Sequence, residues 1–92
     1  MSPRTAIKRK ADPELKPKLR DILKPEFQND TVDVSDGYAD NIHIIIVSRE
    51  FDRKRQKKRQ DIIWNLIEKS DLTDEEKSKI SLILPYSPDD LK

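Results

Sequence analysis

The 92 residues are 40% charged and 34% hydrophobic, enough for one small domain and too little apolar chain for a second core. Lysine and arginine number 19 against 18 aspartate and glutamate, so bulk charge makes no case for nucleic acid and any such case must rest on where the cations sit. The absence of cysteine excludes disulfides, thiolate nucleophiles and cysteine-held metals, as suits a reducing compartment. No apolar run approaches the roughly 20 residues of a membrane span or the core of a secretory signal, and a cytoplasmic chain off the membrane is the expectation.

Residues 1–13 read as a basic flexible N-terminal tail. Arg4, Lys8, Arg9 and Lys10 stand there with little to bury, and ordering such a segment costs about 1–2 kcal/mol per residue. Asp12, Pro13 and Glu14 look like a cap, a first-position proline and a first-turn acid, and Leu15, Leu19, Ile22 and Leu23 form a short apolar helical stripe. Pro17 should restart or kink this helix, and Pro25 should end it. Phe27 is expected to pack back on the core.

Thr31, Val32, Asp33, Val34 and Ser35 alternate as a half-exposed strand does. The only glycine, Gly37, is expected where the chain turns back with a positive φ. Ile42, Ile44 and Ile46 then fall on one face of a second strand and His43, Ile45 and Val47 on the other, a pattern for an inner strand covered on both faces. These two strands should form an antiparallel hairpin.

After Phe51 comes the most basic stretch of the chain. Arg53, Lys54, Arg55, Lys57, Lys58 and Arg59 occur without an apolar residue between Asp52 and Asp61, and Ile62, Ile63, Leu66 and Ile67 follow at helical spacing. The pattern predicts a helix capped by Asp52, cationic at its start and anchored at its end. Cations near a helix N-terminus are unfavourable by about 0.3–1 kcal/mol, so these six read as a surface that meets anions, with phosphate contacts and strong salt dependence. The alternative is a solvated face paired with nearby acids.

Thr73 and Glu76 have the spacing of a capping box and open a short helix. Ile80, Ser81, Leu82, Ile83 and Leu84 read as a third strand stopped by Pro85. Ser87, Pro88, Asp89 and Asp90 begin a last capped turn. A helix between the second and third strands supplies a parallel crossover. The fold class expected is α+β: an αββααβ domain over residues 14–92, with a three-stranded mixed sheet covered by helices.

With this order the sequence resembles the BolA-like family, whose fold is similar to the type II KH arrangement. The resemblance runs from Leu15 to Leu91 and rests on four features: Leu19 to Glu26 as the opening helix with its Pro-Glu exit; Ile44 to Ser48 with Phe51 as the strand ending Val-Ser; Arg59 as the first Arg of an Arg-His-Arg; and Ser87, Pro88, Asp89, Asp90 and Leu91 as the closing Thr-Pro-Glu-Glu-Trp. The resemblance implies a protein partner of the monothiol glutaredoxin type. Members that share an iron–sulfur cluster with such a partner use histidines, and here those positions hold Gln60 and Lys79. An amide is a poor ligand and a protonated ammonium has no lone pair, so no cofactor and no metal ligation are expected, and the remaining His43 reads as a packed or solvent-facing residue.

Enzymatic readings lack their pieces: one histidine, no phosphate-cradling glycine loop, and carboxylates scattered over caps and turns. Tyr38 is the one plausible aromatic for base stacking, and no Gly-x-x-Gly loop supports RNA clamping of the KH type. The function expected is therefore a small regulatory module, not an enzyme. It would bind DNA or RNA backbone through Arg53, Lys54, Arg55, Lys57, Lys58 and Arg59, or else act as a protein adapter without its own iron–sulfur ligation.

Overall fold

Leu15, Leu19 and Leu23 recur every four residues, and in a computed structural model of the chain, which describes residues 14–92, all three are fully buried along one side of helix α1 (Leu15–Leu23). The expected basic tail and the Asp12–Pro13 cap lie outside the described residues. Pro17 neither restarts nor kinks the helix. It is the third residue of α1, in the first turn, where amides have no intrahelical acceptor, and the first helical bond closes one residue later, from Lys18 N–H to Glu14 O at 3.1 Å. Beyond Leu23 the chain tightens into a 3-10 turn, Lys24–Phe27, with Pro25 at its start. Phe27 is buried, as expected, and meets Phe51 with ring centroids 5.7 Å apart at 44°, an offset geometry that adds to simple area burial.

Strands β1 (Thr31–Asp36) and β2 (Ile42–Val47) form the expected antiparallel hairpin, in register from Thr31↔Val47 to Asp36↔Ile42. The glycine is there for a different reason from the one expected. Gly37 does not have a positive φ; Ala39 takes that conformation at φ 59°. A Cβ at Gly37 would instead stand 2.6 Å from His43 Cδ2, so glycine leaves room for the imidazole to lie against the backbone.

Helix α2 (Gln56–Glu68) connects β2 to β3 (Ile80–Tyr86), and β3 pairs parallel to β2, giving a mixed sheet of order β1-β2-β3. The short helix α3 (Asp74–Ser78) has the predicted capping box, Thr73 accepting from Glu76 N–H and Glu76 accepting from Thr73 N–H. Pro85 does not stop β3; the strand runs on through it to Tyr86. An edge strand tolerates a residue without an amide donor on its unpaired side, and β3 is an edge. The chain closes in a 3-10 turn, Pro88–Leu91, capped by Ser87 and Asp90.

The core lies between the helices and one face of the sheet. Ile42, Ile44 and Ile46 are fully buried there against Leu19, Leu23, Phe51, Ile63 and Ile67, while Ile62, Trp64 and Leu66 pack at its margin. The expectation that β2 is covered on both faces is corrected. His43, Ile45 and Val47 are only half-buried, because among the described residues the helices that build the core pack on the opposite face. The cross-strand register places His43 beside Leu82, Ile45 beside Leu84 and Val47 beside Tyr86, so the open face carries an apolar stripe, with Leu82 40% exposed.

Candidate anion-binding surface

The basic stretch begins before the helix. Phe51 closes a 3-10 turn (Arg49–Phe51) in which Asp52 serves as C-cap and pairs with Arg49 at 3.3 Å, and α2 starts at Gln56 with Arg55 as its N-cap. Asp52 is therefore not the cap of α2, and Arg53, Lys54 and Arg55 stand in the connecting loop. Arg53 adopts φ 62°, the left-handed region that lets the chain reverse between the turn and the helix. The first turn of α2 has no side-chain cap and no acidic residue, so its leading amides add partial positive charge to the side chains around them.

The six cations have different environments. Arg53, Arg55, Lys57 and Lys58 are exposed, and the side chains of Arg53, Arg55 and Lys58 have no hydrogen-bond or ion-pair partner among the described residues. Lys57 lies 3.5 Å from Asp61, both side chains largely in water, a pairing worth little. Lys54 is half-buried and its Nζ donates to Glu50 O at 2.7 Å. Arg59 faces inward, its side chain only 9% exposed. Its Nε donates to Lys54 O at 2.8 Å, and its Nη1 donates to Pro85 O at 3.2 Å and to Asp90 Oδ2 at 2.6 Å. The same Asp90 oxygen accepts from Ser87 N–H at 2.9 Å. The Arg59 guanidinium, then the Ser87 amide, hold the Asp90 carboxyl below the usual carboxylate range.

Counting back four from Ile63 and eight from Ile67 along α2 reaches Arg59, so the periodicity that buries those isoleucines also carries the arginine inward. That row is visible in the sequence, and it separates Arg59 from the other five cations. Charge is segregated as well as clustered. Residues 53–59 hold six cations and no acid, whereas the rest of residues 14–92 hold nine cations against seventeen acids, a net of −8. Tyr38, at 87% exposure, stands on the β1–β2 turn.

The iron–sulfur chemistry of histidine-bearing relatives does not fit the residues present. The Gln60 amide donates to Ile83 O at 2.8 Å, which ties α2 to β3. Lys79 offers an ammonium, and His43 lies against Gly37 on the open face of the sheet. Among the described residues no group of three or more His, Cys, Asp or Glu is placed to hold a metal ion, and no helix is long and apolar enough to cross a membrane.

No family model matches the sequence, and no curated protein matches it either. Solved structures do. The chain is similar to the BolA domain of SufE1 from Arabidopsis thaliana, with 26% identity and a TM-score of 0.64 over 87% of this chain and 99% of that one. It is also similar in fold to BolA1 from Arabidopsis thaliana, with 18% identity and a TM-score of 0.61 over 82% of this chain and 93% of that one. The helix order and the mixed three-stranded sheet define a small α+β domain of the kind that serves as a regulatory or adapter module. Its likeness to these BolA domains supports the BolA-like resemblance read from the sequence.

Proposed function

We propose that this chain is a non-enzymatic BolA-like regulatory module that engages the phosphate backbone of nucleic acid through Arg53, Arg55, Lys57 and Lys58. The observation that carries the reading is the segregation of charge: an acid-free run of cations, three of them without a partner among the described residues, on a domain otherwise strongly acidic. A fold has no internal use for unpaired cations beside an uncapped helix N-terminus, where the macrodipole opposes them. An anion from outside resolves that opposition, and its counterions are released on binding.

Titration of labelled duplex DNA and single-stranded RNA at several salt concentrations tests the reading. Affinity should fall steeply as salt rises. The triple substitution R53E, R55E and K58E should abolish binding without unfolding the protein; a flat salt titration, or full affinity in the triple variant, removes the proposal. A second reading rests on a different observation, the uncovered apolar stripe of Ile45, Leu82, Leu84 and Tyr86. The open face then docks a protein of the monothiol glutaredoxin type, as in the adapter role, with no cluster ligand from this chain. Chemical-shift mapping with such a glutaredoxin should move the signals of Ile45 and Leu84, and a 2Fe–2S absorption spectrum in the mixture would overturn the judgement on ligands.

A further inference from the structure

We infer that Arg59 and Asp90 act together as the positioning pair of the basic surface: they contact no anion themselves and set the direction of Arg53 and Arg55. The inference rests on the proposed reading of that surface. Lys54 lies between the two exposed arginines, and the bond from Arg59 Nε to Lys54 O fixes the peptide plane joining Lys54 to Arg55. The other anchors of this loop are Lys54 N–H to Phe51 O and Lys54 Nζ to Glu50 O on one side and Arg59 N–H to Arg55 O on the other, so the Arg59 side chain supplies the one that holds the Lys54 carbonyl. Asp90 holds the guanidinium in that orientation, and the capping box with Ser87 holds Asp90. The closing turn of the chain is thereby coupled to a loop that is distant in sequence.

The pair adds no net charge to the surface, because Arg59 and Asp90 cancel. Its contribution is a loop already ordered before the anion arrives, so that binding need not spend free energy on ordering it. Charge and position therefore predict opposite signs for one substitution. D90N removes an acid beside a cationic surface; if only charge matters, affinity for a polyanion rises. If position matters, affinity falls although the protein has become more basic.

The experiment uses the full chain and four proteins: wild type, D90N, R59K and D89N. R59K keeps the charge and loses the forked donors. D89N changes charge as D90N does, but Asp89 pairs only with exposed Lys92. Labelled duplex DNA and single-stranded RNA are titrated at several salt concentrations, and backbone order parameters of residues 53–55 are measured in the free proteins by nitrogen NMR relaxation. D90N and R59K should bind roughly three- to tenfold more weakly, with the salt slope unchanged because no phosphate contact is lost. Their order parameters at Lys54 and Arg55 should fall from about 0.85 towards about 0.6. D89N should bind as wild type or more tightly. Tighter binding by D90N, or unchanged order at residues 53–55 in D90N, overturns the inference. If wild type binds neither nucleic acid, the proposed function fails, and the order parameters alone decide whether Arg59 and Asp90 position the loop.

Discussion

Arg53 is held at φ 62°, where a side chain costs roughly 1–2 kcal/mol relative to ordinary backbone, and its guanidinium makes no hydrogen bond or ion pair among the described residues to offset the cost. Glycine would relieve the strain. R53G is therefore expected to raise stability by about 1 kcal/mol in urea denaturation while weakening oligonucleotide binding and flattening its salt slope by about 0.7–0.9 for one phosphate contact. Stability and binding move in opposite directions only if the side chain is kept for an external ligand. Ala39, at φ 59° on the hairpin, is the internal control, since A39G should stabilise by a similar amount and leave binding alone. At Gly37 the demand is volume. G37A drives a methyl group into the His43 ring, and because the ring can swing away the expected loss is about 1 kcal/mol, read together with a displaced His43 imidazole signal in NMR. The presence of a turn here was legible in the sequence; which residue would take the left-handed conformation was not. The glycine answers instead to an imidazole reaching back from the next strand.

Between elements, the outer edge of β3 is closed by side chains of α2. Ile83 and Pro85 are two residues apart and so project their carbonyls to the same side of the strand, where Gln60 and Arg59 donate to them. Pro85 has no amide to offer a further strand, and these two acceptors are occupied, which blunts an edge that would otherwise template pairing with another chain. Q60A leaves the Ile83 carbonyl without this donor, and a loss of about 1–2 kcal/mol is expected, measured as a lowered urea midpoint at constant slope. The order of helices and strands was legible because it follows from local periodicity, as in Leu15, Leu19 and Leu23 or Ile42, Ile44 and Ile46. The start of α2 was not, since a run of polar residues carries no periodicity from which to place it. Pro85 misled for a related reason: a proline argues against a strand only when both edges are paired, and edge position is settled by the whole sheet. The row Arg59, Ile63 and Ile67 could have been read in advance, and it sorts the one buried cation from those left in water.

For residues 14–92 taken together, acids outnumber cations once the loop and helix turn of residues 53–59 are set aside, and two of those acids tie distant parts of the chain together. Asp90 joins the closing turn to α2 through Arg59, and Glu76 joins α3 to α1 through Lys18 at 2.6 Å. The Lys18 ammonium, then the Thr73 amide, hold the Glu76 carboxyl below its ordinary value, as Arg59 and Ser87 do for Asp90. The sign of the consequence is fixed by linkage. A carboxyl whose folded pKa is lowered binds fewer protons folded than unfolded, so its contribution is fully present above the ordinary values of 4.5 for Glu76 and 3.8 for Asp90. That contribution is lost as pH falls through the lowered folded values. Stability should accordingly be level near neutral pH and decline below about pH 4.5, with the closing turn and the contact between α1 and α3 loosening. In E76Q combined with D90N the neutral-pH stability should be lower and the acid decline shallower, because the groups that titrate have been removed. Urea midpoints across the acid range check both parts. An acid decline equally steep in the double variant would place the responsible carboxyls elsewhere in the acidic remainder of the domain. Because Asp90 holds Arg59 and Arg59 holds the Lys54 carbonyl, acidification should loosen the loop of the basic surface together with the closing turn that supports it.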